Sequence, residues 1–560
     1  MSWNLIDRAR KVLAEEEGTI TKPWGGRVTI AIAYPNLYYV GMSNLGFHTI
    51  YYCLNSFPDV LCERVFLPDR DECLKYLNTS SALFTLESQK PLYQFNIIAF
   101  SISFENDYLN ILKMLDLAKI PLEREKRDDS HPLIIAGGIA STLNPETISD
   151  FIDLFVIGEG EEVLPELIES YKNGIDEGCK KDEILENMTD IVGVYVPRYY
   201  SVDYRSDGTI KDFEPKTGFS RDVKRRWVKS IDGYKTHSII LTPNTEFGNM
   251  FLMEMSRGCK WRCRFCATGF IYRPYRRRSL ENLSETIDSG LKKRDKIGLV
   301  GADVSDHPDL DELCDLIVKK GGRVSVASLR ANSLSDKVIE CLKASGHKTV
   351  TLAPEAGSER LRKVIDKRIT EDDILKAIEA VICNDILNIK LYFLIGLPSE
   401  TLKDVEEIVH ITKRIKHHVL KASKGNKRLG RVTLSINSFV PKPVTPFQWH
   451  PFADVKSLNN KLKMVRNVLR KEGNINVTSD LPKWGYIQSL LSRGDRRVGR
   501  IILAVYRFGG DWKRAFREID INPDFYVHRQ RNYDEILPWD FIDHGIKKEH
   551  LFTEYQKALS

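Results

Sequence analysis

Short apolar runs alternate with amphipathic stretches from about residue 27 onward. In the first part of the chain these runs are RVTIAIAYPN (27–36), IIAFSIS (97–103), LIIAGG (133–138) and LFVIG (154–158), with helix-like segments between them. Parallel strands that are buried on both faces read as continuous apolar runs, and intervening helices indicate repeated β-α units. The pattern predicts a doubly wound, Rossmann-like α/β domain over residues 1–175.

The pattern then changes twice. Residues 176–245 alternate with the period of a hairpin around Asp207-Gly208, which predicts a connecting segment. Over 246–450 about six β-α units return, which predicts a partial or full parallel barrel whose functional residues follow the strands. Residues 451–560 are richer in aromatic and charged residues and mostly helical in pattern, which predicts a helical C-terminal domain. The predicted fold class is therefore α/β.

Composition and charge narrow the class of protein only moderately. The 560 residues are 42% hydrophobic and 29% charged, as is typical of soluble globular proteins. The net charge of +6, from 83 basic and 77 acidic residues, permits an anionic partner without predicting one. Because no apolar run is long enough for a membrane span and the N-terminus lacks the apolar core of a signal peptide, we predict a cytoplasmic protein without membrane contact.

Three of the ten cysteines lie close together in MSRGCKWRCRFCATG (255–269), directly after an apolar run. In a reducing compartment, clustered cysteines are expected to be metal ligands or catalysts, and soft thiolates select iron-sulfur clusters, zinc or copper(I). Structural zinc normally takes four ligands, and no second Cys-x2-Cys or histidine pair accompanies this group. A 4Fe-4S cluster with one open iron is favoured, and zinc is the alternative. The other seven cysteines are expected to be ordinary, mostly buried side chains.

The spacing Cys259-x3-Cys263-x2-Cys266, with Phe265 before the last cysteine, resembles the signature of the radical SAM superfamily. The resemblance implies that the open iron binds S-adenosylmethionine and that its cleavage gives a 5'-deoxyadenosyl radical. That radical would remove hydrogen from an unactivated carbon. A reductant such as flavodoxin or ferredoxin is implied as a partner.

Further motifs follow the predicted strands of the barrel in the order that the resemblance implies. They occur in VGADVSDHP, ASLRANS, LAPEAGSERLR and FLIGLPSET, and SFVPKPVTPFQW resembles the segment that closes the barrel in related groups. The residues implied to bind S-adenosylmethionine are Gly301, Asp303, Ser328, Arg330, Glu355, Gly396 and Pro398.

A doubly wound domain before such a barrel resembles the cobalamin-binding radical SAM enzymes. The turns after the predicted strands then imply a cobalamin-binding-like domain in which Gly137, Gly138, Gly158, Glu159 and Gly160 face the cofactor. The Asp-x-His-x-x-Gly motif of many cobalamin proteins is absent, and His48 is expected in the core. Cobalamin would make the protein a methyltransferase acting on an unactivated carbon. Without it, the domain would bind substrate or cap the barrel, and the outcome of the reaction stays open.

Over nearly its whole length the chain resembles an uncharacterised bacterial group of radical SAM proteins, through AYPNLYYVGMSNLGFHTIYYCLN, SRGDRR (492–497) and ILPWDFID. An RNA-modifying or RNA-associated protein is the alternative function, since IYRPYRRRSLENL (271–283) interleaves arginine and tyrosine. A charged surface, with Ser279 capping a helix, is favoured for that stretch. SRGDRR is interpreted as either an anion site or a salt-bridge network. A non-enzymatic binding module is the third alternative, and the substrate is left undefined.

Overall fold

The chain forms two compact units in the structure, a computed structural model that describes residues 2–422 and 430–560. The first unit comprises Met1–Gly248, Leu490–Tyr526 and Asp534–Gly545, and the second comprises Asn249–Ser489, Val527–Tyr533 and Ile546–Ser560. The predicted C-terminal domain 451–560 is therefore divided between the two units. Part of the predicted barrel region 246–450, residues 423–429, lies outside the described residues.

The first unit is built on a six-stranded sheet. Its strands and the later hairpin are β1 (Val28–Tyr34), β2 (Val60–Phe66), β3 (Ile97–Ser101), β4 (Leu133–Gly137), β5 (Leu154–Val156), β6 (Val194–Tyr195), β7 (Tyr200–Tyr204), β8 (Ile210–Pro215) and β9 (Val223–Lys224). Its helices are α1 (Trp3–Ala14), α2 (Tyr38–Gly41), α3 (Leu45–Ser56), α4 (Arg70–Asn78), α5 (Tyr108–Leu117), α6 (Ile139–Leu143), α7 (Gly160–Asp176) and α8 (Lys181–Met188).

The order of the strands in this sheet confirms the doubly wound prediction. The order is β2-β1-β3-β4-β5-β6, and the first five strands are parallel. Only β6 runs antiparallel, beside β5. The strand order reverses between β1 and β3, and at such a switch point open α/β sheets bind ligands beyond the carboxyl ends of the strands. The predicted hairpin is also confirmed, because β7 and β8 pair around Gly208, whose φ is +86°.

His48 lies in the core of the first unit, as predicted. Its Nε2 lies 3.0 Å from the carbonyl oxygen of Met42, and its Nδ1 lies 3.3 Å and 3.4 Å from the amide nitrogens of Ile239 and Ile240. Because Nδ1 accepts hydrogen bonds from these backbone N–H groups, it carries no proton, and the imidazole is neutral. Burial accordingly lowers the pKa of His48 to about 4.

This buried imidazole predicts a specific dependence of stability on pH. Between pH 6.5 and 4 only the unfolded chain protonates this histidine, so acidification lowers stability by about 1.4 kcal/mol per pH unit. The substitution His48→Gln is expected to remove this contribution. Urea denaturation of the wild-type and variant proteins across that range measures it, and an unchanged pH dependence in the variant would contradict the assignment.

The second unit contains the predicted β-α repeats. Its strands are β10 (Phe251–Glu254), β11 (Ser256–Arg257), β12 (Arg276–Arg277), β13 (Lys296–Val300), β14 (Arg323–Val326), β15 (Thr349–Glu355), β16 (Asn388–Ile395), β17 (Val432–Ser438) and β18 (Ile475–Thr478). Its helices are α9 (Thr268–Ile271), α10 (Leu280–Leu291), α11 (Leu310–Lys319), α12 (Asp336–Ala344), α13 (Glu359–Val364), α14 (Glu371–Cys383), α15 (Leu402–Ala422), α16 (Val455–Leu469) and the first eight residues of α17 (Pro482–Arg493), whose last four residues belong to the first unit.

Seven of these strands are parallel and follow chain order, which confirms the partial barrel. The seventh, β18, lies in the region 451–560 that was predicted to be mostly helical, so the sheet extends beyond the predicted barrel region. One sheet has the order β10-β13-β14 and the other has the order β15-β16-β17-β18. A parallel bridge between Leu329 and Leu352 joins them. Helices follow most of the strands, so functional side chains are expected at the carboxyl ends. No helix in the described part of the chain is long and apolar enough to cross a bilayer.

The last part of the chain contributes α18 (Val498–Arg507), α19 (Trp512–Glu518), α20 (Asp524–Val527), β19 (Ile542–Asp543) and α21 (Lys548–Leu559). SRGDRR precedes α18 and forms a salt-bridge network within the first unit. Arg496 Nε lies 2.8 Å from Glu146 Oε2, and the guanidinium of Arg497 pairs with Asp495 at 2.6 Å. The side-chain amide of Asn144 also donates to the carbonyl oxygen of Gly494 at 2.7 Å. These contacts explain why 490–526 belongs to the first unit.

Candidate metal and cofactor site

The cysteine loop begins where β10 ends, and a short antiparallel pair holds its base. Arg257 in β11 pairs with Arg276 in β12, so the loop of residues 258–275 begins and ends at this strand pair. Gly258, directly before Cys259, has a φ of +84°. A side chain there would place its Cβ 2.4 Å from the carbonyl oxygen of Tyr272. Glycine is therefore required for the chain to turn into the cysteine loop.

Arg264, between the second and third cysteines, anchors the loop to the second unit. Its Nη1 donates to the carbonyl oxygens of Lys363 and Val364 at 3.2 Å and 2.8 Å. Its Nε and Nη2 lie 3.1 Å and 3.0 Å from a carboxylate oxygen of Glu554 in α21. Arg264 is 9% exposed, so these contacts are largely shielded from water. The guanidinium thus fixes the position of the backbone that carries Cys263 and Cys266.

The anchor predicts that Arg264→Ala weakens metal retention without removing a ligand. Residues that orient metal ligands typically contribute about 10–100-fold to metal affinity, and we expect a loss of iron in that range. The matched control is Arg262→Ala, since Arg262 lies in the same loop and is exposed. Iron content after anaerobic desalting measures the effect. Equal iron retention in the two variants would contradict the positioning role.

Trp261 links the cysteine loop to the predicted residues Asp303 and Arg330. Its indole N–H donates to Asp306, and the Arg330 guanidinium lies 3.7 Å from the centre of its ring. The hydroxyl of Ser305 donates to Asp303 at 2.9 Å and accepts from the backbone N–H of Arg330 at 3.0 Å. Burial, together with a hydrogen bond to Asp306, raises the pKa of Asp303 to about 6. The ends of β13 and β14 are thereby connected to the loop.

Glu355 ends β15 in a conformation that non-glycine residues rarely adopt. Its φ is +68°, and the pairing of β15 with β16 shifts register between Leu352 and Glu355. The surrounding contacts must hold such a backbone in place. Burial raises the pKa of the Glu355 carboxyl, and Lys367 Nζ lies 3.4 Å from it. Lys367 also lies near enough to Cys263 to favour its thiolate.

The three thiols form one group whose chemistry fits an iron-sulfur cluster. Burial raises the pKa of Cys259 to about 12 and that of Cys263 to about 11, and the neighbouring cysteines add to both shifts. The N–H of Cys266 donates to the carbonyl oxygen of Cys263 at 3.0 Å, which brings the last two cysteines into one turn. Thiols of this kind stay protonated until a metal replaces the protons. Within the described residues, no three His, Cys, Asp or Glu side chains are arranged around a point suited to a single metal ion.

The remaining predicted residues of the barrel, Gly301, Ser328, Gly396 and Pro398, lie at three different places. A Cβ at Gly301 would lie 3.1 Å from Ser256 Oγ, so Gly301 packs beside the start of the cysteine loop. Ser328 is exposed on the segment after β14. Gly396, with a φ of +82°, and Pro398 are buried in the turn after β16. The Gly396 N–H donates to Glu400 at 2.9 Å, which fixes the start of this turn.

The predicted cobalamin-facing turns of the first unit contact the chain's own backbone. A Cβ at Gly138 would lie 2.5 Å from the carbonyl oxygen of Ile102, and one at Gly158 would lie 2.0 Å from that of Arg226. Glu159 is buried and accepts from the N–H of Val228 at 2.9 Å. Near these turns, Gly137 ends β4 and Gly160 opens α7. Gly138 and Gly158 thus accommodate neighbouring segments of the chain, and the role of these turns in binding cobalamin stays a prediction.

The basic stretch after the cysteine loop is mostly not a charged surface, contrary to the favoured interpretation. Arg276 is 8% exposed and Arg278 is 4% exposed, whereas Arg277 is exposed. Arg276 Nε donates to the carbonyl oxygen of Pro274 at 3.0 Å, and Arg278 pairs with Glu254 at 2.9 Å. The predicted cap is confirmed, since Ser279 Oγ accepts from the N–H of Asn282. Two of these arginines therefore fix the base of the cysteine loop.

Sequence reasoning did not identify Trp261, Arg264, Asp306 or Lys367 as part of the site. Trp261 and Arg264 stand inside the motif, and their position between cysteines was the only available signal. Asp306 contacts Trp261, which is 45 residues away in the sequence. Lys367 contacts Glu355, which is 12 residues away. Such pairings depend on how the strands are placed beside one another.

The fold and the site together define an α/β protein that carries a loop with three cysteines after the first strand of a partial parallel barrel. Two family models match the chain, radical SAM proteins, N-terminal, over residues 46–197 and the radical SAM superfamily over residues 253–411. An uncharacterized protein of Methanocaldococcus jannaschii, MJ0966, is 32% identical over 481 residues, which cover 84% of this chain and 90% of the relative. The chain belongs to the radical SAM superfamily, as its motif predicted.

More distant relatives and solved structures are also similar. An uncharacterized methyltransferase of Pyrococcus horikoshii, PH0819, is 25% identical over 52% of this chain and 60% of its own length. The methyltransferase TsrM of Kitasatospora setae, solved with cobalamin and a [4Fe-4S] cluster, shares 12% identity over 88% of this chain and 99% of its own, with a TM-score of 0.49. The protein is an enzyme of a superfamily that uses a 4Fe-4S cluster and S-adenosylmethionine.

Proposed function

We propose that Cys259, Cys263 and Cys266 hold the 4Fe-4S cluster and that its fourth iron binds S-adenosylmethionine. The observation that carries this proposal is the group of three buried or half-buried thiols with no fourth cysteine in the motif. Cluster and cosubstrate together supply a 5'-deoxyadenosyl radical, which removes a hydrogen atom from an unactivated carbon of the substrate. Asp303, Arg330 and Glu355 border the cysteine loop and are proposed to orient S-adenosylmethionine. A reduced flavodoxin or ferredoxin is the proposed electron donor.

The experiment is anaerobic reconstitution with iron and sulfide, followed by reduction with dithionite and addition of S-adenosylmethionine. The wild-type protein is expected to release 5'-deoxyadenosine, and Cys266→Ala is expected to release none above background. The matched control is Cys383→Ala, because Cys383 is an exposed cysteine in α14 outside the site. Equal release by the Cys266→Ala and Cys383→Ala variants would contradict the proposed ligand set.

Methyl transfer to the substrate carbon, with cobalamin as the methyl carrier, is the second candidate for the outcome of the reaction. Support comes from the similarity to PH0819 and from exposed apolar side chains at the switch point of the first unit. Tyr39 is 50% exposed and Val40 is 39% exposed beyond β1, and Phe104 is 44% exposed beyond β3. An exposed apolar group where strand order reverses is suited to a large ligand.

Cobalamin uptake tests this second candidate. Stoichiometric binding, followed by the visible spectrum of cobalamin, is expected for the wild-type protein and is expected to weaken in Phe104→Ser. Tyr93→Ser is the control, since Tyr93 is 45% exposed and lies before β3 rather than beyond it. A wild-type protein that takes up no cobalamin, or equal uptake by both variants, would contradict binding at the switch point.

A further inference from the structure

The outer face of α16 and of the turn after it carries basic and amide side chains and no carboxylate. Between Val455 and Lys471 the chain has six basic residues and no Asp or Glu, although basic and acidic residues are nearly balanced over the whole sequence, 83 to 77. The exposed positions recur at the spacing of one helix face. They are Lys456, Asn459, Asn460, Lys463, Arg466, Asn467, Arg470 and Lys471. We name these residues the basic stripe.

The positive charge of the basic stripe is not neutralised by the protein, unlike that of other helix surfaces in this chain. Lys11 pairs with Asp7 at 2.8 Å and Lys376 with Asp372 at 2.7 Å, each one helical turn apart. In the described part of the chain, no ion pair joins a carboxylate to a member of the basic stripe. The stripe instead places like charges one turn apart, which destabilises a helix. Such a surface is suited to a partner that carries several negative charges.

The basic stripe runs along the outside of the barrel, from the carboxyl ends of the strands towards their amino ends. Its first end is fixed by Lys461 in α16, which pairs at 2.6 Å with Glu400 in the turn after β16. α16 follows β17 and leads to β18, which runs parallel to β17, so the helix returns along the sheet. At about 1.5 Å per residue the stripe is about 22 Å long. Its length fits an extended polyanion rather than a small anion.

An exposed tryptophan adjoins the basic stripe. Arg466 Nη2 donates to Ser479 Oγ at 2.6 Å, which joins the stripe to the segment between β18 and α17. Further along this segment Trp484 is 46% exposed, and Lys483 Nζ lies 5.3 Å from the centre of its ring. In proteins that bind single-stranded nucleic acids, basic residues follow the phosphates and bases stack on aromatic rings. An acidic polypeptide would satisfy the charges alone, so the exposed ring favours a nucleic acid with unpaired bases.

We propose that the basic stripe and Trp484 bind a single-stranded nucleic acid. The lysines and arginines of the stripe contact phosphates, its asparagine amides donate to phosphates or base edges, and Trp484 stacks on a base. This surface is distinct from IYRPYRRRSLENL, in which Arg276 and Arg278 are buried. The proposal goes beyond the proposed function, because binding at this surface requires neither the cluster nor S-adenosylmethionine.

The test measures binding of labelled oligouridylate and oligodeoxythymidylate, each about twelve nucleotides long, to the reconstituted protein by fluorescence anisotropy at several salt concentrations. At least one probe is expected to bind the wild-type protein. The double variant Lys463→Gln, Arg470→Gln is expected to bind about tenfold or more weakly at about 0.1 M salt. Each phosphate contact contributes about 0.7 to the slope of log affinity against log salt, so the slope is expected to fall in magnitude by about 1.4. The matched control is Lys292→Gln, Lys293→Gln, which removes two exposed lysines after α10.

Substitution of the tryptophan tests the stacking contact separately from the charge. Trp484→Ala is expected to weaken binding about fivefold or more, because the ring stacks on a base. The matched control is Trp3→Ala, since Trp3 is 67% exposed in α1 and also lies beside a cation, Arg10, at 5.5 Å. The slope against salt is expected to be unchanged in Trp484→Ala, because no phosphate contact is lost.

Each outcome decides the proposal. Weaker binding of either oligonucleotide by the stripe and Trp484 variants, with both controls unchanged, supports it. Binding of neither oligonucleotide by the wild-type protein, or equal binding by the stripe variant and its lysine control, would overturn it. Displacement of the bound oligonucleotide by polyglutamate at equal charge concentration would indicate an acidic protein partner and would also overturn it. Release of 5'-deoxyadenosine by the same wild-type preparation is measured separately, so failure of this surface is distinguished from failure of the proposed function.

Discussion

Substitution of Cys263 by alanine is expected to lower the iron affinity of the reconstituted protein by at least about 100-fold, because outer residues that only orient ligands already contribute 10–100-fold. Cys263 is the most buried of the three cysteines, at 7% exposure, and it directly precedes the anchoring residue Arg264. The variant would keep only two of the three thiolates proposed to anchor the cluster. Iron and sulfide analysis, with the visible absorption of the reconstituted protein, measures the loss.

The control for this experiment is Cys314→Ala. Cys314 is fully buried in α11 of the same unit, so its substitution reports any general loss of packing. We expect the Cys314→Ala variant to keep its iron. The ligand assignment is contradicted if Cys263→Ala retains as much iron as Cys314→Ala does.

Substitution of Arg64 by alanine is expected to destabilise the first unit by about 3–5 kcal/mol, the range found when one partner of a buried ion pair is removed. Arg64 lies in β2 and its side chain is 0% exposed. Its Nη2 lies 2.6 Å from Glu16, and its Nε lies 2.6 Å from Glu87. The side chains of these two glutamates are 0% and 2% exposed. Removal of the guanidinium leaves two carboxylates buried without a counter-charge.

Urea denaturation of the Arg64→Ala protein measures this effect, with Arg8→Ala as the matched control. Arg8 also contacts two carboxylates, Asp69 at 2.7 Å and Glu72 at 2.9 Å, but its side chain is 48% exposed. Exposed ion pairs typically contribute less than about 1 kcal/mol, so only a small change is expected for Arg8→Ala. Similar changes in the free energy of unfolding for the two variants would contradict the buried network.

The sequence predicted those strands of the fold whose burial makes them continuously apolar. β1, β3, β4 and β5 were recognised in this way. The barrel strands β15, β16 and β17, in which about every second residue is buried, were recognised as short apolar runs between helix-like segments, and β18 was not recognised. β2 was not, because VLCERVF contains Glu63 and Arg64, which normally indicate an exposed segment. Both are buried, with partners such as Glu16 and Thr85 that are distant in sequence. A local pattern carries no information on such distant partners.

The candidate site was predicted to a similar extent. Cys259, Cys263 and Cys266 were identified by their spacing, which is a local property. Glycines after strands were predicted to face a cofactor, and that role stays a prediction; the close approach of Ile102 to Gly138 and of Arg226 to Gly158 could not be predicted, because these segments are distant in sequence. From the sequence, SRGDRR could be either an anion site or a salt-bridge network. The contact of Arg496 with Glu146, which is 350 residues away, shows that it is a salt-bridge network.

The open position on the cluster is the central claim, and electron-nuclear double resonance of the reduced protein tests it most directly. S-adenosylmethionine labelled with nitrogen-15 in its amino group is added to the reduced, reconstituted enzyme. We predict a hyperfine coupling between the label and the cluster, because the three proposed cysteine ligands would leave one iron for the amino and carboxylate groups. A cluster spectrum without any coupling to the bound, labelled cosubstrate would contradict the account.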